Sequence, residues 1–152
     1  MREILFRGKR LDNGEWVTGD LRHGGYYLND PDVYIVVLFA GTVINYPVDP
    51  ATVGQYTGLK DKHGKRIFEG DMLKPFDDEI DKMVVEFHHG SFLLCLYGER
   101  GYMGEGGWVE EGNYGVFECE SLSSYGDDVE IIGTIHDNPE LLEGGVNDGG
   151  SL

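Results

Sequence analysis

The stretch Val33-Tyr34-Ile35-Val36-Val37-Leu38-Phe39 decides the fold class of this 152-residue chain. It is a run of β-branched, aromatic and aliphatic residues, bounded by Pro31 and Gly41. This composition favours an extended strand, and an unbroken apolar run of this length is typical of a strand buried on both faces. We therefore predict a central strand here, with residues 42–46 as its partner strand.

Other short strands, separated by turn signals, extend outward from this run. On the N-terminal side, residues 2–6 and 15–21 flank Asp12-Asn13-Gly14, and Asn-Gly is the strongest sequence signal for a type I′ hairpin turn. The remaining strand candidates are 26–28, 66–68, 72–74, 83–87, 92–97, 116–117 and 129–135. This succession predicts an all-β fold, either a barrel or a sandwich, with SH3-like barrel character in the second half.

Two helical turns, one loop and a tail complete the predicted elements. Asp49 can cap a turn that starts at Pro50, and residues 138–142 are a second short helix candidate. Residues 98–115 include seven glycines, which predicts a long mobile loop. We expect the Gly-rich residues 144–152 to form a flexible tail.

The charge of the chain is strongly acidic and unevenly distributed. There are 28 acidic and 12 basic residues, for a net charge of −16. Residues 1–75 hold ten of each sign, so residues 76–152 hold the other 18 acidic and two basic residues. Direct binding to nucleic-acid phosphates is not expected, because it requires clustered Lys and Arg. The acidic half is either a solvated surface or an interaction surface.

The cysteines and apolar runs favour a cytoplasmic protein. Cys95 and Cys119 have no metal-ligand spacing around them, and we interpret them as free thiols, with Cys95 in the core. The longest apolar stretch, residues 33–40, is too short to span a bilayer. The first residues have no apolar region of the length that a signal peptide needs.

One histidine pair is the best sequence candidate for metal chemistry. His88-His89 follows an acidic segment that contains Asp77, Asp78, Glu79 and Asp81. Adjacent strand residues point to opposite faces, so both histidines can bind one metal only from a turn. The sequence contains neither a Gly-x-Ser-x-Gly motif nor a phosphate-binding loop. We therefore predict no catalytic residue, no resident metal and no cofactor.

Residues 53–71 read VGQYTGLKDKHGKRIFEGD, and this segment resembles the YopX-like family of phage and prophage proteins. Residues 2–8, 14–21 and 129–142 agree with the same family. The resemblance covers residues 1–143. It implies a single pseudobarrel domain capped by short helices, with a possible N-terminal subdomain at 1–50 and a barrel at 51–143. No catalytic residue can be carried over from it.

The central segment supplies candidate site residues whose role is either structural or in partner contact. They are Gln55, Tyr56, Thr57, Gly58, Leu59, Asp61, Gly64, Glu69, Gly70 and Asp71. The glycines fit turns with a left-handed backbone, and Asp61, Glu69 and Asp71 can hold neighbouring backbone amides. In the alternative interpretation, Gln55, Tyr56 and Thr57 present an exposed polar and aromatic face to a partner.

These features predict a non-enzymatic, phage-encoded or prophage-encoded β protein that acts through protein contacts or self-assembly, with a homo-oligomer expected. Two alternatives stay open. The acidic half could mimic nucleic acid and occupy a basic surface of a host nucleic-acid-binding protein. A metal-assisted enzyme could use His88, His89 and the nearby carboxylates.

Overall fold

The all-β prediction is confirmed. The computed structural model describes residues 2–74, 83–88, 90–105, 107–121 and 128–141. Within these ranges the strands are β1 (Phe6–Lys9), β2 (Trp16–His23), β3 (Val33–Phe39), β4 (Thr42–Pro47), β5 (Gly54–Lys60), β6 (Arg66–Phe68), β7 (Asp71–Lys74), β8 (Met83–His88), β9 (Ser91–Gly104), β10 (Gly107–Ser121) and β11 (Glu130–Thr134). No helix among the described residues is long and apolar enough to cross a bilayer.

The chain divides into two compact units between Leu59 and Lys60. In unit 1 (Met1–Leu59) the strands lie in the order β4-β3-β2-β1-β5, and the described pairs are antiparallel. Ile35 and Val48 are completely buried in its core. The predicted cap at Asp49 is confirmed, since its side chain accepts a 3.0 Å hydrogen bond from the Ala51 amide at a 3₁₀ turn.

Strand β3 exists as predicted, but the expectation that both its faces are buried is wrong. Only Ile35 is fully buried, while Leu38 and Phe39 are 73% and 69% exposed. β3 has β4 as its outer neighbour, and the exposed Leu38 and Phe39 lie beside the turn that joins these two strands. An apolar run indicates a strand, but it does not show which of its side chains another layer covers.

The first strand begins later than predicted, at Phe6 instead of residue 2. Its register pairs Phe6 with Gly19 and Lys9 with Trp16. The guanidinium of Arg7 lies 4.5 Å and the ammonium of Lys9 5.5 Å from the centre of the Trp16 ring. These cation–π contacts stabilise charged side chains within the strand. The apolar run at residues 4–6, which indicated an earlier start, was therefore a poor guide to the position of β1.

The type I′ turn lies at Ala40-Gly41 and not at Asn13-Gly14. Ala40 and Gly41 have φ of 50° and 80°, and they join the paired residues Phe39 and Thr42. In the predicted turn Gly14 has a positive φ but Asn13 does not. That longer loop is closed by backbone hydrogen bonds of 2.9 Å, including one from Arg10 to Glu15.

Replacing Ala40 with asparagine is expected to stabilise unit 1 by about 0.5–1 kcal/mol. Alanine in the left-handed region costs roughly 1–2 kcal/mol, and Asn-Gly is the preferred pair for this turn. Thermal unfolding followed by circular dichroism measures the change. Ala51→Asn, at a position outside the left-handed region, is the control. Equal or lower stability of A40N relative to the parent protein would contradict the assignment.

The segment 26–28, predicted as a strand, is an exposed turn. The carboxylate of Asp30 accepts a hydrogen bond from the Tyr26 amide at 3.0 Å, and the Asp30 amide donates to the Tyr27 carbonyl at 3.0 Å. Asn29 adopts the left-handed backbone with φ of 66°. This local hydrogen bonding competes with strand formation. It prevails here, where none of the described strands pairs with residues 26–28.

Unit 2 (Lys60–Leu152) contains an antiparallel sheet in the order β10-β9-β8-β7-β11. Among its described side chains, those of Ile67, Met72, Leu73, Val84 and Leu94 are completely buried. The predicted hairpin around residues 88–91 is confirmed by the pairing of His88 with Ser91. The second helix candidate is a 3₁₀ turn at residues 139–141. Residues 144–152 lie outside the described ranges, and barrel closure stays a prediction.

The loop predicted at residues 98–115 is wrong, because these residues lie in the β9–β10 hairpin. Gly98 pairs with Gly115, and Gly104 pairs with Gly107. A register shift between Glu110 and Tyr114 contains Gly112. Glycine weakens a strand without forbidding it and often marks a bulge. Backbone pairing on both sides of this register shift therefore outweighs the local preference of these glycines for a loop.

The interpretation of the cysteines as free thiols is also wrong. Cys95 is disulfide-bonded, and no cysteine among the described residues is free. Cys119 is the only other cysteine in the sequence, and its backbone lies opposite Cys95 in the β9–β10 register. The two positions are 24 residues apart in the sequence, so only the strand pairing brings them together.

Candidate functional site

Asp61 connects two distant parts of unit 2 through backbone hydrogen bonds. Its side chain is 4% exposed. One carboxylate oxygen accepts hydrogen bonds from the His63 and Lys65 amides at 2.9 Å, and the other accepts from the Ile131 amide in β11 at 3.2 Å. Burial raises the pKa of Asp61, but the hydrogen bonds from Lys65, Ile131 and His63 outweigh it, and the pKa is lowered.

Gly64, Gly70 and Asp71 shape the turns on either side of β6. Gly64 and Gly70 have φ of 81° and 91°, a backbone conformation that residues other than glycine rarely adopt. The fully buried carboxylate of Asp71 accepts a 2.7 Å hydrogen bond from the Phe68 amide. The Gly70 carbonyl accepts from the Ile135 amide at 3.0 Å. Glu69 is half-buried between them. These residues thus hold the backbone of unit 2 together.

The first part of the central segment, residues 53–71, lies on β5. Tyr56 is buried, so it belongs to the core of unit 1 and not to an exposed aromatic face. Gln55 and Thr57 are half-buried, and the Thr57 hydroxyl accepts a 3.2 Å hydrogen bond from the Leu59 amide. Gly58 has φ of 89° and open space around it.

The basic turn at residues 60–66 has an acidic partner on β11. Glu130 contacts the Lys62 ammonium at 3.3 Å and the His63 imidazole at 3.2 Å. The hydrogen bond from His63, followed by that from Lys62, lowers the pKa of the Glu130 carboxyl. Part of the positive charge in this turn is therefore compensated within the chain.

Of the predicted metal candidates, the structure places only His88. Its Nε2 lies 3.1 Å from a carboxylate oxygen of Glu86, two residues away on the same face of β8. His89 and the acidic residues Asp77, Asp78, Glu79 and Asp81 lie outside the described residues. Glu86 was not among the sequence candidates, although its i, i+2 spacing from His88 on a strand was a usable signal.

An exposed apolar cluster, formed by Leu38 and Val43 at the turn end of the β3–β4 hairpin, was missed by sequence reasoning. Leu38 and Val43 are directly opposite each other in the register and project from the same face. Their exposed fractions are 73% and 59%. The signal for it was present, because residues 42–46 form a strand without any charged side chain.

Comparison with known proteins matches the chain to a family model and to solved structures. No curated protein matches the chain in sequence. The crystal structure of protein EF1440 from Enterococcus faecalis is 23% identical, covers 93% of this chain and 99% of its own, and superposes with a TM-score of 0.40. The model of the YopX protein family matches residues 5–143. This match spans most of the chain, which therefore belongs to the YopX protein family.

Proposed function

We propose that this protein is a phage-encoded or prophage-encoded, non-catalytic β protein of the cytoplasm that acts through protein contacts, beginning with self-association through the open edge of β4. The observation that carries the proposal is an uncharged edge strand beside the exposed apolar cluster. Natural sheets protect their edges with charges, prolines or covering segments, because an open edge pairs with other chains.

The open part of this edge is residues 42–45. Among the described strands of unit 1, β4 is an end strand. Its C-terminal end is covered, since the Leu11 amide donates to the Pro47 carbonyl at 3.0 Å. Alternation in the antiparallel ladder aims the backbone groups of Val43 and Asn45 away from β3. An incoming antiparallel strand can therefore add at these two residues.

The apolar cluster supports the same contact. Leu38 and Val43 are each more than half exposed, and burying both in a symmetric dimer removes apolar surface on both partners. Burial of a large aliphatic or aromatic side chain contributes roughly 1.5–3 kcal/mol. A second copy of the chain offers both a matching edge and a matching cluster, as a two-fold interface requires.

Val43→Lys is expected to convert a dimer of the parent protein into a monomer. A two-fold contact brings both copies of the new lysine to the same interface, where their like charges repel and the apolar contact is lost. Sedimentation velocity at micromolar protein concentration measures the change.

Leu28→Lys is the matched control, because Leu28 is 92% exposed in the same unit but lies in a turn away from the strand edge. This variant should remain dimeric. A monomeric parent protein, or an equal effect of both variants, would contradict self-association through β4.

A second candidate function is favoured by the charge distribution. Residues 76–152 carry 18 acidic and two basic residues, a density that suits occupation of a basic surface on a host nucleic-acid-binding protein. Retention of such a protein from host lysate at low salt, with release at high salt, would support this function.

A further inference from the structure

Three metal-ligating side chains converge on one face of the β8–β9 hairpin. Glu86 and His88 alternate along β8, and Cys95 lies opposite Val84, which places it on their face of the sheet. The ligating atoms of Glu86, His88 and Cys95 all lie within 4.8 Å of one another. This cluster differs from the His88, His89 and acidic-segment group that the sequence suggested.

The three donor atoms suit a metal ion that is intermediate between hard and soft, such as Zn²⁺. A carboxylate oxygen, an imidazole nitrogen and a thiolate sulfur are the standard ligands of Zn²⁺, at about 2.0–2.3 Å. In tetrahedral coordination at these bond lengths, two ligand atoms of one ion lie roughly 3.3–3.8 Å apart. The three ligating atoms, which now lie within 4.8 Å of one another, must therefore approach by up to about 1.5 Å to bind the ion. Three protein ligands leave one tetrahedral position for water.

The oxidation state of Cys95 controls whether this set is complete. Cys95 is disulfide-bonded in the structure, and a disulfide sulfur is not a thiolate ligand. We propose that reduction of this disulfide opens a Zn²⁺ site at Glu86, His88 and Cys95, so that metal binding reports the thiol state of the protein. A reducing compartment favours the thiol form.

The chemistry balances with a small thiol as reductant. Two thiol molecules reduce the protein disulfide to two protein thiols and become one small-molecule disulfide. The Cys95 thiol then loses a proton as its sulfur binds Zn²⁺. Access comes from the His88 side, since His88 is exposed and Glu86 is half-buried, whereas Cys95 is fully buried.

Two cysteine variants provide a matched test, because both lack the disulfide and differ only in which sulfur remains. Cys119→Ser should bind one Zn²⁺ per chain without reductant, and Cys95→Ser should bind none at this site with or without it. The parent protein should bind only after reduction. Titration with Zn²⁺ against a chromophoric chelator measures affinity, and Co²⁺ reports sulfur ligation through its thiolate charge-transfer absorption.

His88→Ala in the Cys119→Ser background should weaken Zn²⁺ binding by at least about tenfold. His63→Ala in the same background is the control, because His63 also pairs with a glutamate, at 3.2 Å from Glu130, but belongs to no such three-residue group among the described residues. Three results would overturn the proposal. They are Zn²⁺ binding at this site by the Cys95→Ser variant, no Zn²⁺ binding by the folded Cys119→Ser variant, and an equal loss of Zn²⁺ affinity in both histidine variants.

Discussion

Replacing Asp61 with alanine is expected to destabilise the protein by about 3–5 kcal/mol. The change removes the acceptor for three backbone amides, those of His63, Lys65 and Ile131. A hydrogen bond to a charged group contributes roughly 1.5–3 kcal/mol. Because these three bonds are only partly buried, water replaces part of what is lost, and relief from burying the carboxylate offsets a further part. Denaturant unfolding followed by circular dichroism measures the free energy of unfolding.

Two further variants separate the contributions at this site. Asp61→Asn can keep the acceptor oxygen that serves His63 and Lys65 but presents an amide group to Ile131, so we expect an intermediate loss. Glu130→Ala removes an exposed carboxylate that pairs with the same turn, and we expect a much smaller loss, because exposed ion pairs contribute little to stability. Equal losses for Asp61→Ala and Glu130→Ala would contradict the central role of Asp61.

The same carboxylate predicts an acid-dependent part of the stability. The folded-state pKa of Asp61 is lowered from its ordinary value of 3.8, so the folded state holds its proton less tightly than the unfolded state. Its contribution is therefore complete above the unfolded pKa and is lost as the pH falls through the lower, folded pKa. The stability advantage over Asp61→Asn should therefore shrink as the pH falls through 3.8 and below.

Replacing Gly19 with alanine is expected to cost about 3 kcal/mol or more, or to prevent folding of unit 1. A Cβ atom at Gly19 would overlap the backbone carbonyl oxygen of Val36 and lie 3.2 Å from the Ile35 side chain. Ile35 is fully buried, and Val36 pairs with Asp20 in the β2–β3 ladder. No rotamer change relieves a clash with a backbone atom, so the strands must separate.

Gly58→Ala is the control for this variant. Gly58 has φ of 89° but nothing within 4 Å of an added Cβ, so only backbone strain of roughly 1–2 kcal/mol applies. The free energy of unfolding of both variants can be measured in denaturant, with soluble yield as a second measure. If Gly19→Ala proved no more costly than Gly58→Ala, close approach of β2 and β3 at this point would be wrong.

Sequence patterns predicted local structure correctly where the residues favour a single backbone conformation. Asp49-Pro50 caps a turn, and the positive φ of Gly64 and Gly70 follows from glycine's lack of a Cβ. The pattern failed at residues 98–115, where seven glycines indicated a loop. Pairing between distant residues decided that hairpin, and no local pattern reports such pairing.

The contacts of the candidate site residues also fall into two groups, those within one turn, which the sequence predicts, and those between distant strands, which it does not. That Asp61 holds nearby amides of its own turn was predictable, because aspartate commonly bonds to amides two residues onward. Its bond to Ile131 was not, since the two residues are 70 positions apart. The grouping of Glu86, His88 and Cys95 likewise depends on the β8–β9 register.

The sequence by itself determined that this chain is all-β, where most strands lie, and that its central motif is that of the YopX protein family. These properties depend on short-range composition and on motif residues that are contiguous in the chain. The tertiary structure alone decided that Leu38 and Phe39 are exposed, although they belong to the opening apolar run of residues 33–39. Burial is set by which strands pack on each face, and that arrangement is a property of the whole fold.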